Sequence, residues 1–522
     1  MDTDLKLSGI RHVVAVSGLH ISILFGLLSL VTLRRRLLTA MVGYPVLVFF
    51  MALTGFTPSV VRSCLMSGLM LLAKLTDRDY DGPTALSFAV LVMLTMNPFV
   101  ITSVSFQLSA ASVAGIYLFT SKILMWLRAF FEDVSAKTFR GRLIRWGTAS
   151  VAVTLGASVL TVPLCAHYFG MVSLVGVLTN LLTLWLISGI YYGILMICLV
   201  SGFFPGGASV LGVVCSWPVR YILWIAEKLA DFPLAAVYTS SPYILSWLIF
   251  AYLLLAVFLL GRNRRPVVLS CCAVIGLCLA LTADWCESMA GDVRVTVLDV
   301  GQGQSILLQS EGRSFLVDCG GDNPAAASDR AAEALLVQGI RKLDGLILTH
   351  WDSDHSNGAE GLLSRVDTGL LLLPETYSDL PSRAEVPVVC VTENLDLTFG
   401  TTTIRLFPAT FPGNSNEISI CVLFDTEKCD ILITGDRDGY GERSLLRNAE
   451  IPDVDILIAG HHGAESSTCE ELLTAVKPEI VCISAGAGNF YGHPSDALLQ
   501  RLAEFGCEIY RTDVQGTITI RR

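Results

Sequence analysis

The sequence predicts a polytopic α-helical membrane domain followed by an α/β domain, and the distribution of apolar and charged residues indicates both. Residues 13–283 contain repeated apolar runs of about 20 residues, the length that crosses a bilayer as a helix. From Asp292 onward, charges recur regularly and the apolar runs are as short as strands. Only 16% of the 522 residues are charged, which reflects the first half of the chain. We therefore expect domains at residues 1–285 and 292–522.

About ten segments of the first domain are long and apolar enough to be membrane spans. A further segment, residues 207–230, mixes tryptophans and charged side chains into an apolar run, which is typical of a helix that lies in the membrane interface. The predicted spans are residues 13–33, 37–56, 58–75, 84–101, 104–121, 147–168, 171–188, 189–204, 242–261 and 266–283.

Basic residues in three connecting segments predict the orientation of these spans. They are Arg34–Arg36, the lysines and arginines of residues 122–146, and the arginines of residues 262–265. Lysine and arginine favour the cytoplasmic side of a membrane. If residues 207–230 do not cross the membrane, this pattern places the C-terminal domain outside the cell.

Three polar side chains interrupt otherwise apolar spans and are candidate channel residues: His20, Arg62 and Gln107. Polar groups at membrane depth usually face a bundle interior or a water-filled path, because lipid leaves them without hydrogen-bond partners. The alternative is that they bond one helix to another and have no part in transport.

In the second domain, strand-length runs alternate with helical segments, and potential metal ligands repeatedly follow the strands. This order is typical of an αββα sandwich with its site along one edge. Helices are predicted at residues 325–340 and 359–365. The predicted strands are Val293–Val300, Ser305–Gln309, Ser314–Val317, Leu346–Leu348, Ile456–Ile458, Ile480–Ser484 and Gly516–Ile520.

The loop after Leu346–Leu348 concentrates four potential metal ligands in the pattern H-x-D-x-D-H: His350, Asp352, Asp354 and His355. Two imidazoles and two carboxylates so close together can hold two divalent ions. A polar turn that caps a helix is the alternative, but it does not require so many ligand types. All five histidines after residue 292 follow strands: His350, His355, His461, His462 and His493.

Asp436 also ends a strand, and a carboxylate that arrives from a separate loop is suited to bridge two cations. The predicted ligands of one ion are His350 and Asp352. The predicted ligands of the other are Asp354 and His355, with Asp436 between the two ions. Such a pair of ions can share a water, lower its pKa and direct it at a phosphorus or carbonyl centre.

The remaining histidines have two predicted roles. His461 or His462 would complete the shell of one ion, and His462 or His493 would donate a proton to the leaving oxygen. We therefore predict Asp354, His462 and His493 as the catalytic residues, although His493 could instead be a structural residue before Pro494.

The C-terminal pattern resembles the metallo-β-lactamase fold, in which an early strand ends at an aspartate, here Asp318, before the metal loop and the bridging Asp436. The particular residues of its motifs are similar to those of the ComEC/Rec2 family of competence proteins. The motifs of this likeness are Asp299-Val-Gly-Gln-Gly303, Leu348-Thr-His-Trp-Asp-Ser-Asp-His355, Gly460-His-His-Gly463 and Asn489-Phe-Tyr-Gly-His-Pro-Ser495. The membrane half resembles the channel domain of that family at Val14-Ala-Val-Ser-Gly-Leu-His20, Pro58-Ser-Val-Val-Arg62 and Ser105-Phe-Gln-Leu-Ser109.

The resemblance implies a DNA uptake channel for natural transformation. The membrane domain would pass single-stranded DNA inward, and the metal centre would act as a nuclease on the other strand. The implied cofactors are two divalent ions, Mn²⁺ or Zn²⁺. The implied partners are single-stranded DNA, membrane lipid, a DNA receptor and ATP-driven import proteins of the cytoplasm. The implied location is the cell membrane, with several spans and an extracellular C-terminal domain. The sequence does not indicate an oligomeric state.

Two features depart from the family pattern. The fold usually carries a third histidine motif before the bridging aspartate, but no histidine lies between His355 and Asp436. Asn416 or Ser419 is the expected substitute, and a site richer in oxygen favours Mn²⁺ over Zn²⁺. Family members also carry further helices and a β-barrel domain before the motif that ends at His20, so we expect either a short member or a fragment.

Two other functions stay open at this point. The chain could be a membrane-anchored metallo-hydrolase of another ester, or a channel whose soluble domain is an inactive module. The net charge of −10 argues against a nucleic-acid coat protein but not against a nuclease, because bound metal ions supply positive charge. The fifteen cysteines form no paired C-x-x-C pattern, so the sequence predicts neither a disulfide framework nor a zinc finger.

Overall fold

The structure, a computed structural model, describes residues 2–33, 35–131, 137–239, 241–260, 266–289, 293–374, 386–409 and 416–522. It divides into two compact units, Met1–Leu248 and Ile249–Arg522. The first unit holds most of the apolar helices, and the second holds two large sheets. The domain limits predicted from composition, 1–285 and 292–522, rest on a different criterion and stay a prediction.

Twelve helices are described before residue 290, and several begin at a proline, whose fixed φ suits the first turn of a helix. The helices are α1 (Asp2–Leu7), α2 (Arg11–Val14), α3 (Gly18–Val31), α4 (Arg36–Leu53), α5 (Pro58–Leu75), α6 (Gly82–Met96), α7 (Val104–Ala129), α8 (Phe139–Phe169), α9 (Gly176–Ser201), α10 (Pro205–Ala230), α11 (Pro242–Leu260) and α12 (Pro266–Met289). Seven of them are long and apolar enough to span a membrane, namely α4, α5, α7, α8, α9, α10 and α12. Three more are apolar but shorter, namely α3, α6 and α11.

The prediction of two spans over residues 171–188 and 189–204 is wrong, because one helix, α9, covers most of both. No proline or charged residue falls inside α9, so nothing in the sequence breaks it. The true break comes earlier, at Gly170, which ends α8 in the left-handed conformation with φ 62°. The strand that follows, β1 (Met171–Ser173), pairs antiparallel with β2 (Ala236–Tyr238).

Residues 207–230, predicted to lie in the membrane interface, form most of α10. This helix has 26 residues and is long and apolar enough to span a membrane. Arg34 and the arginines of residues 262–265, which entered the orientation argument, lie outside the described residues. The predicted orientation required that residues 207–230 not cross, and it stays a prediction.

The second unit contains two seven-stranded mixed sheets, both formed largely by strands of three to five residues. The first sheet has the order β10-β9-β7-β5-β4-β3-β18, and the second has the order β11-β12-β13-β14-β15-β16-β17. A short parallel pair, β6 with β8, lies apart from both. The strands are β3 (Arg294–Val297), β4 (Ile306–Ser310), β5 (Arg313–Val317), β6 (Lys342–Leu343), β7 (Gly345–Ile347), β8 (Asp367–Thr368), β9 (Leu371–Leu373), β10 (Val388–Cys390), β11 (Leu395–Phe399), β12 (Thr402–Phe407), β13 (Cys421–Asp425), β14 (Ile431–Ile433), β15 (Ile456–Ile458), β16 (Ile480–Ile483), β17 (Glu508–Arg511) and β18 (Ile518–Arg521).

Alternate residues of these strands pack on opposite faces, which produces three apolar layers. Ile306 and Phe315 of the first sheet pack between the sheets against residues such as Ile431 of the second. The outer face of each sheet carries helices, with Leu335 of α13 on the first and Leu473 of α17 on the second. The unit is therefore an αββα sandwich, as predicted. Its helices are α13 (Pro324–Val337), α14 (Ser353–Ser356), α15 (Ala359–Leu363), α16 (Gly439–Asn448), α17 (Glu470–Val476), α18 (Asp496–Phe505) and α19 (Thr512–Gln515).

The predicted metal ligands gather because their strands run in the same direction. In the first sheet β5 and β7 are parallel, and in the second sheet β14, β15 and β16 are parallel. Within each sheet, the carboxyl ends of parallel strands meet at one edge. The segments that leave these strands carry the metal loop, Asp436 and the turn at residues 460–463, so the site lies at one edge of the sandwich.

We expect the substitution Gly115→Val to destabilise the helical unit. A Cβ at Gly115 of α7 would lie 2.4 Å from the backbone oxygen of Gly156 in α8, which cannot move aside easily. Overpacking of this kind costs about 1–3 kcal/mol. Thermal unfolding of the full chain in detergent, followed by circular dichroism, measures the effect. Gly147→Val on α8 is the matched control, because nothing lies within 4 Å of its added Cβ. Equal melting temperatures for both variants would contradict the expectation.

Candidate metal centre

A buried carboxylate, Asp318, holds the metal loop in place by accepting hydrogen bonds from it. It follows β5 with φ 60° and accepts hydrogen bonds from the backbone N–H and the hydroxyl of Thr349, at 2.7 and 2.8 Å. It also accepts from the side-chain amide of Gln304 at 2.8 Å and from Nδ1 of His355 at 2.7 Å. Because Nδ1–H of His355 is held by this carboxylate, its Nε2 faces away from Asp318 as a potential ligand atom.

Four side chains then converge in a compact inner group: Asp354, His355, Asp436 and His462. Their ligand atoms all lie within 4.8 Å of one another. Nε2 of His355 is 3.0 Å from Oδ1 of Asp436 and 3.2 Å from Nε2 of His462. Nε2 of His462 is in turn 3.2 Å from Oδ2 of Asp354. The structure thus brings together the predicted pair Asp354 and His355 with Asp436, and it adds His462.

A more open outer group shares the same bridging carboxylate. Nε2 of His350 is 3.9 Å from an oxygen of Asp352 and 3.9 Å from Oδ2 of Asp436. Nε2 of His461 is 3.7 Å from that same oxygen of Asp436. The side chains of Asp352 and His461 are 43% and 31% exposed, and that of the inner Asp354 is 34% exposed, whereas His350, His355 and His462 are almost completely buried. Asp436 therefore lies between two groups that each combine buried imidazole with a partly exposed carboxylate.

The hydrogen bonds around His350 fix which of its nitrogens is free. Nδ1 lies 3.1 Å from the hydroxyl of Thr349 and 3.2 Å from that of Ser419. Each hydroxyl gives its own proton elsewhere, Thr349 to Asp318 and Ser419 to the carbonyl of Asn416. Both hydroxyls therefore accept from Nδ1–H, which leaves a lone pair on Nε2. That nitrogen is buried and has no hydrogen-bond partner in the described chain, so the donor set fits a divalent cation.

The two candidates for the third-ligand position, Ser419 and Asn416, contact different histidines. Ser419 contacts His350 through Nδ1, on the opposite side of the ring from the free nitrogen. It therefore holds the ring of His350 and does not face its free nitrogen. The side-chain amide of Asn416 lies 3.4 Å from Nε2 of His461 and is at the rim of the outer group.

The turn Gly460–Gly463 presents two adjacent histidines to the two groups by adopting strained backbone. His461 and His462 have φ of 50° and 55°, the left-handed region that few residues other than glycine occupy. The N–H of His461 donates to the carbonyl of Gly435, and Nδ1 of His462 donates to the carbonyl of Ser484 at 3.0 Å. Both ring nitrogens of His462 are thus engaged, and the predicted role of His462 as proton donor to a leaving group is not supported by its geometry.

His493 lies at the rim of the site. Its ring centre is 5.8 Å from that of His461, and the ring of Tyr491 is stacked with it at a centre distance of 6.0 Å. The N–H of Ser495 donates to the carbonyl of Gly463, which holds this segment against the histidine turn. Nδ1 of His493 is buried without a hydrogen-bond partner among the described residues. Burial, and then the neighbouring His461, lowers the pKa of His493.

The charges of the buried groups shift one another's pKa values. Burial, together with the adjacent His355, lowers the pKa of His350 to about 4, so this imidazole is neutral near pH 7. Burial also disfavours a charge on His355, but the carboxylates of Asp436 and Asp318 outweigh it and raise the pKa of His355 well above its ordinary value. Burial likewise disfavours charge on Asp436, yet His355 and His462 hold the pKa of Asp436 below its ordinary range. A cation that binds Nε2 of His355 therefore has to displace a proton.

Two buried charged residues that support the site were not predicted from the sequence. The guanidinium of Arg437, next to Asp436, donates to the carbonyls of Ser419 and Phe407 at 2.7 Å each. The carboxylate of Glu442 accepts from the N–H groups of Thr468 and Cys469, and the Thr468 hydroxyl in turn accepts from the N–H of Gly460. The only sequence signal for Arg437 is its place directly after the bridging aspartate, and Glu442 reads as an ordinary helix residue.

The three candidate channel residues of the helical unit have different environments. Gln107 accepts from the hydroxyl of Tyr168 and donates to the carbonyl of Ile101, which matches the helix-bonding alternative. Arg62 is buried and bonds to Ser109 at 2.8 Å. His20 lines a cavity of about 550 Å³.

The fold and the site define a class of protein: a helical membrane domain joined to a metallo-β-lactamase-fold domain whose His and Asp cluster fits divalent metal binding. A family model described as "Competence protein" matches residues 1–265, and the chain belongs to this family. A model of the metallo-β-lactamase superfamily matches residues 298–486.

Curated relatives match along nearly the whole chain. ComE operon protein 3 of Bacillus subtilis is 28% identical, over 98% of this chain and 68% of the relative. Competence protein ComA of Neisseria gonorrhoeae is also 28% identical, over 98% of this chain and 70% of the relative. Recombination protein 2 of Haemophilus influenzae is 25% identical, over 98% of this chain and 68% of the relative.

Solved structures match the second unit only weakly. The metallo-β-lactamase fold protein YhfI of Bacillus subtilis covers 44% of this chain and is itself covered completely, with 17% identity and a TM-score of 0.32. A diphosphatase of the PhnP family covers 44% of this chain and is 97% covered, with 14% identity and a TM-score of 0.30.

We expect Ser419→Ala to weaken Mn²⁺ binding by the full chain about 10- to 100-fold, the usual effect of losing a group that orients a ligand. The variant removes one of the two acceptors that hold Nδ1–H of His350. Competition with a chromophoric chelator measures the affinity. Ser364→Ala is the matched control, because the exposed Ser364 donates its hydroxyl to the carbonyl of Gly361 in the adjacent turn of α15. An affinity that Ser419→Ala leaves unchanged would show that this hydroxyl does not position the ligand.

We expect the affinity for Mn²⁺ to increase as the pH rises from about 6 to about 8. The raised pKa of His355 means that its proton persists over this range, and the cation competes with that proton less as the pH rises. Calorimetry of the full chain in buffers of different ionisation enthalpy measures both the affinity and the protons released. A constant affinity with no proton release would contradict the assignment of His355 as a ligand.

Proposed function

We propose that the chain is a DNA uptake channel whose helical domain passes single-stranded DNA across the cell membrane, and that its C-terminal centre is a metal-dependent nuclease that cuts the other strand. Membership of the competence family supports the uptake role. The metallo-β-lactamase fold with its His and Asp cluster supports a metal-dependent hydrolase.

One observation carries the nuclease proposal: the Nε2 atoms of four histidines lie within 3.9 Å of an oxygen of Asp436. They are His355 and His462 of the inner group and His350 and His461 of the outer group. In our assignment the inner cation is held by Asp354, His355 and His462. The outer cation is held by His350, Asp352 and His461. The two cations, Mn²⁺ or Zn²⁺, supply an acidified water and neutralise the charge of a phosphodiester.

The other residues of the site hold the ligands or face the substrate. Asp318 bonds to Nδ1 of His355, and Ser419 bonds to Nδ1 of His350. Each bond holds its imidazole ring in one orientation and leaves Nε2 as the ligand atom. We assign proton donation to the leaving oxygen to His493, because its ring lies at the rim of the site, 5.8 Å from that of His461. Asn416, also at the rim, is our candidate for the place of the missing third histidine.

The orientation of the membrane half determines which DNA strand the C-terminal domain would meet. We propose that the C-terminal domain lies outside the cell, where it meets the strand that does not enter. A DNA receptor would deliver the duplex on that side, and an ATP-driven protein of the cytoplasm would pull the entering strand. The apolar helices of the chain would lie in the membrane, where lipid contacts them permanently.

We expect the full chain in detergent to cleave single-stranded DNA when Mn²⁺ is added. Asp354→Ala should reduce the cleavage rate by at least about a hundredfold, because the inner cation loses a carboxylate ligand. A labelled oligonucleotide resolved on a denaturing gel measures the rate. Asp367→Ala is the matched control, since Asp367 is an exposed residue of β8, which lies outside the two large sheets that position the ligands.

The same assay separates the proposal from its alternatives. Cleavage of small phosphate esters without cleavage of DNA would indicate a membrane-anchored hydrolase of another ester. Metal binding without cleavage of either substrate, with Mn²⁺ or Zn²⁺, would indicate a channel with an inactive module.

A further inference from the structure

Two exposed aromatic side chains, Phe490 and Tyr491, lie in the loop between β16 and α18. This aromatic loop spans residues 486–495. Phe490 is fully exposed and Tyr491 is 72% exposed. Single apolar side chains are common on protein surfaces, but two adjacent large rings in one short loop expose apolar area that the fold itself does not bury. This pair is therefore available for contact with a bound molecule.

The aromatic loop is held in one conformation by its own hydrogen bonds. Asn489 donates its side-chain amide to the carbonyl of Gly486 at 2.9 Å. Its amide oxygen accepts from the N–H of Tyr491 at 3.1 Å and from that of His493 at 3.0 Å. At the base of the loop, the N–H of Gly486 donates to the side chain of Gln302. Because the turn that carries the two rings is fixed, little conformational freedom remains to be lost when they contact a ligand.

The aromatic loop also forms part of the rim of the metal centre. The ring of Tyr491 is nearly parallel to that of His493, with an angle of 11° between them. The ring of His493 is in turn 5.8 Å from that of His461, which belongs to the outer group. A row of three rings thus leads from the outer group to the surface, and Tyr491 is its exposed end. A substrate that extends from the metal centre along this row reaches Tyr491 and its neighbour Phe490.

The charge of the aromatic loop differs from that of the domain around it. Residues 486–495 contain no aspartate or glutamate, although acidic side chains outnumber basic ones in residues 292–522. An acidic surface repels a polyanion such as DNA, whereas this loop does not. The rings of the nucleobases are uncharged and can lie against aromatic side chains. The loop is therefore a place where a nucleic-acid strand can approach the metal centre.

Stacking of this kind requires a base whose face is free. In a duplex both faces of a base are covered by its neighbours, whereas a single strand can turn its bases outward onto aromatic side chains. A phenyl ring or a phenol ring accepts every base, because each base has a flat face and stacking reads no hydrogen-bond pattern. The aromatic loop therefore matches unpaired bases of any sequence.

We propose that Phe490 and Tyr491 stack with unpaired bases of a single strand and thereby hold its adjoining phosphodiester at the metal centre. The proposal rests on the nuclease function proposed above and deepens it, since it assigns the choice of a single-stranded substrate to these two side chains. Both contact the substrate away from the bond that breaks, so their contribution is to substrate binding.

The test measures cleavage by the full chain in detergent with Mn²⁺, on two labelled oligonucleotides of equal length. One carries bases, and the other consists of abasic residues with the same phosphodiester backbone. We expect the unmodified chain to favour the strand with bases about a hundredfold in kcat/KM, mostly through KM, because two rings each bind one base. Phe490→Ala should lower this preference about tenfold, because one of the two stacks is lost.

Three further variants of exposed phenylalanines make the test specific. Phe505→Ala is the matched control, because Phe505 ends α18 directly before β17, at the opposite edge of the sheet from the metal centre. Phe490→Trp should keep the preference for bases, since indole has a larger flat face. Phe490→Leu should lower it as alanine does, since leucine is apolar without a ring. Full preference with leucine would indicate an ordinary apolar contact, as with lipid, and would overturn the proposal.

The outcomes separate this proposal from that of the nuclease. Cleavage with a preference for bases that Phe490→Ala leaves intact would refute the stacking and retain the nuclease. If the unmodified chain cuts neither strand, the nuclease proposal fails, and fluorescence anisotropy with the same two oligonucleotides in Mn²⁺ then tests the stacking. A binding preference for bases that Phe490→Ala lowers and Phe505→Ala keeps would support it, and equal preferences in all variants would refute it.

Discussion

The second unit depends on four aspartate carboxylates confined around one set of imidazoles. Asp318 and Asp436 are almost completely buried, and Asp352 and Asp354 lie towards the opening. A buried carboxylate without compensation costs several kcal/mol, and the protonated imidazole of His355 offsets only part of this charge. A divalent cation bound by the His and Asp cluster would offset more of it. The residues that fit metal binding would therefore also gain electrostatic balance from it.

The sequence was sufficient to predict that these side chains lie together, because they are close neighbours in the chain or directly follow strands. The metal loop after β7 and Asp436 after β14 could be predicted from spacing alone. The choice between His461 and His462 could not, since it depends on two consecutive residues with positive φ that turn their rings towards different groups. The role of Ser419 was also hidden, because its contact with His350 joins segments 69 residues apart.

In the helical unit the sequence predicted the helices better than it predicted where they end or what their polar residues contact. Apolar run length predicted the presence of most helices, but it does not show where a long run is interrupted. The interruption after α8 depends on Gly170 and on the pairing of β1 with β2, a strand far along the chain. The polar residues of the spans looked equivalent in sequence. In the structure Gln107 of α7 bonds to Tyr168 of α8 and Arg62 of α5 bonds to Ser109 of α7, whereas His20 lines a cavity.

The unequal exposure of the ligands within each group has a consequence for how the protein would respond to metal starvation. In the inner group His355 is 0% and Asp354 is 34% exposed, and in the outer group His350 is 1% and Asp352 is 43% exposed. Each group therefore meets solvent through its carboxylate, while its histidine is buried. When divalent metal becomes scarce, a cation would leave past Asp352 and Asp354, and the buried imidazoles would stay in position for the next one.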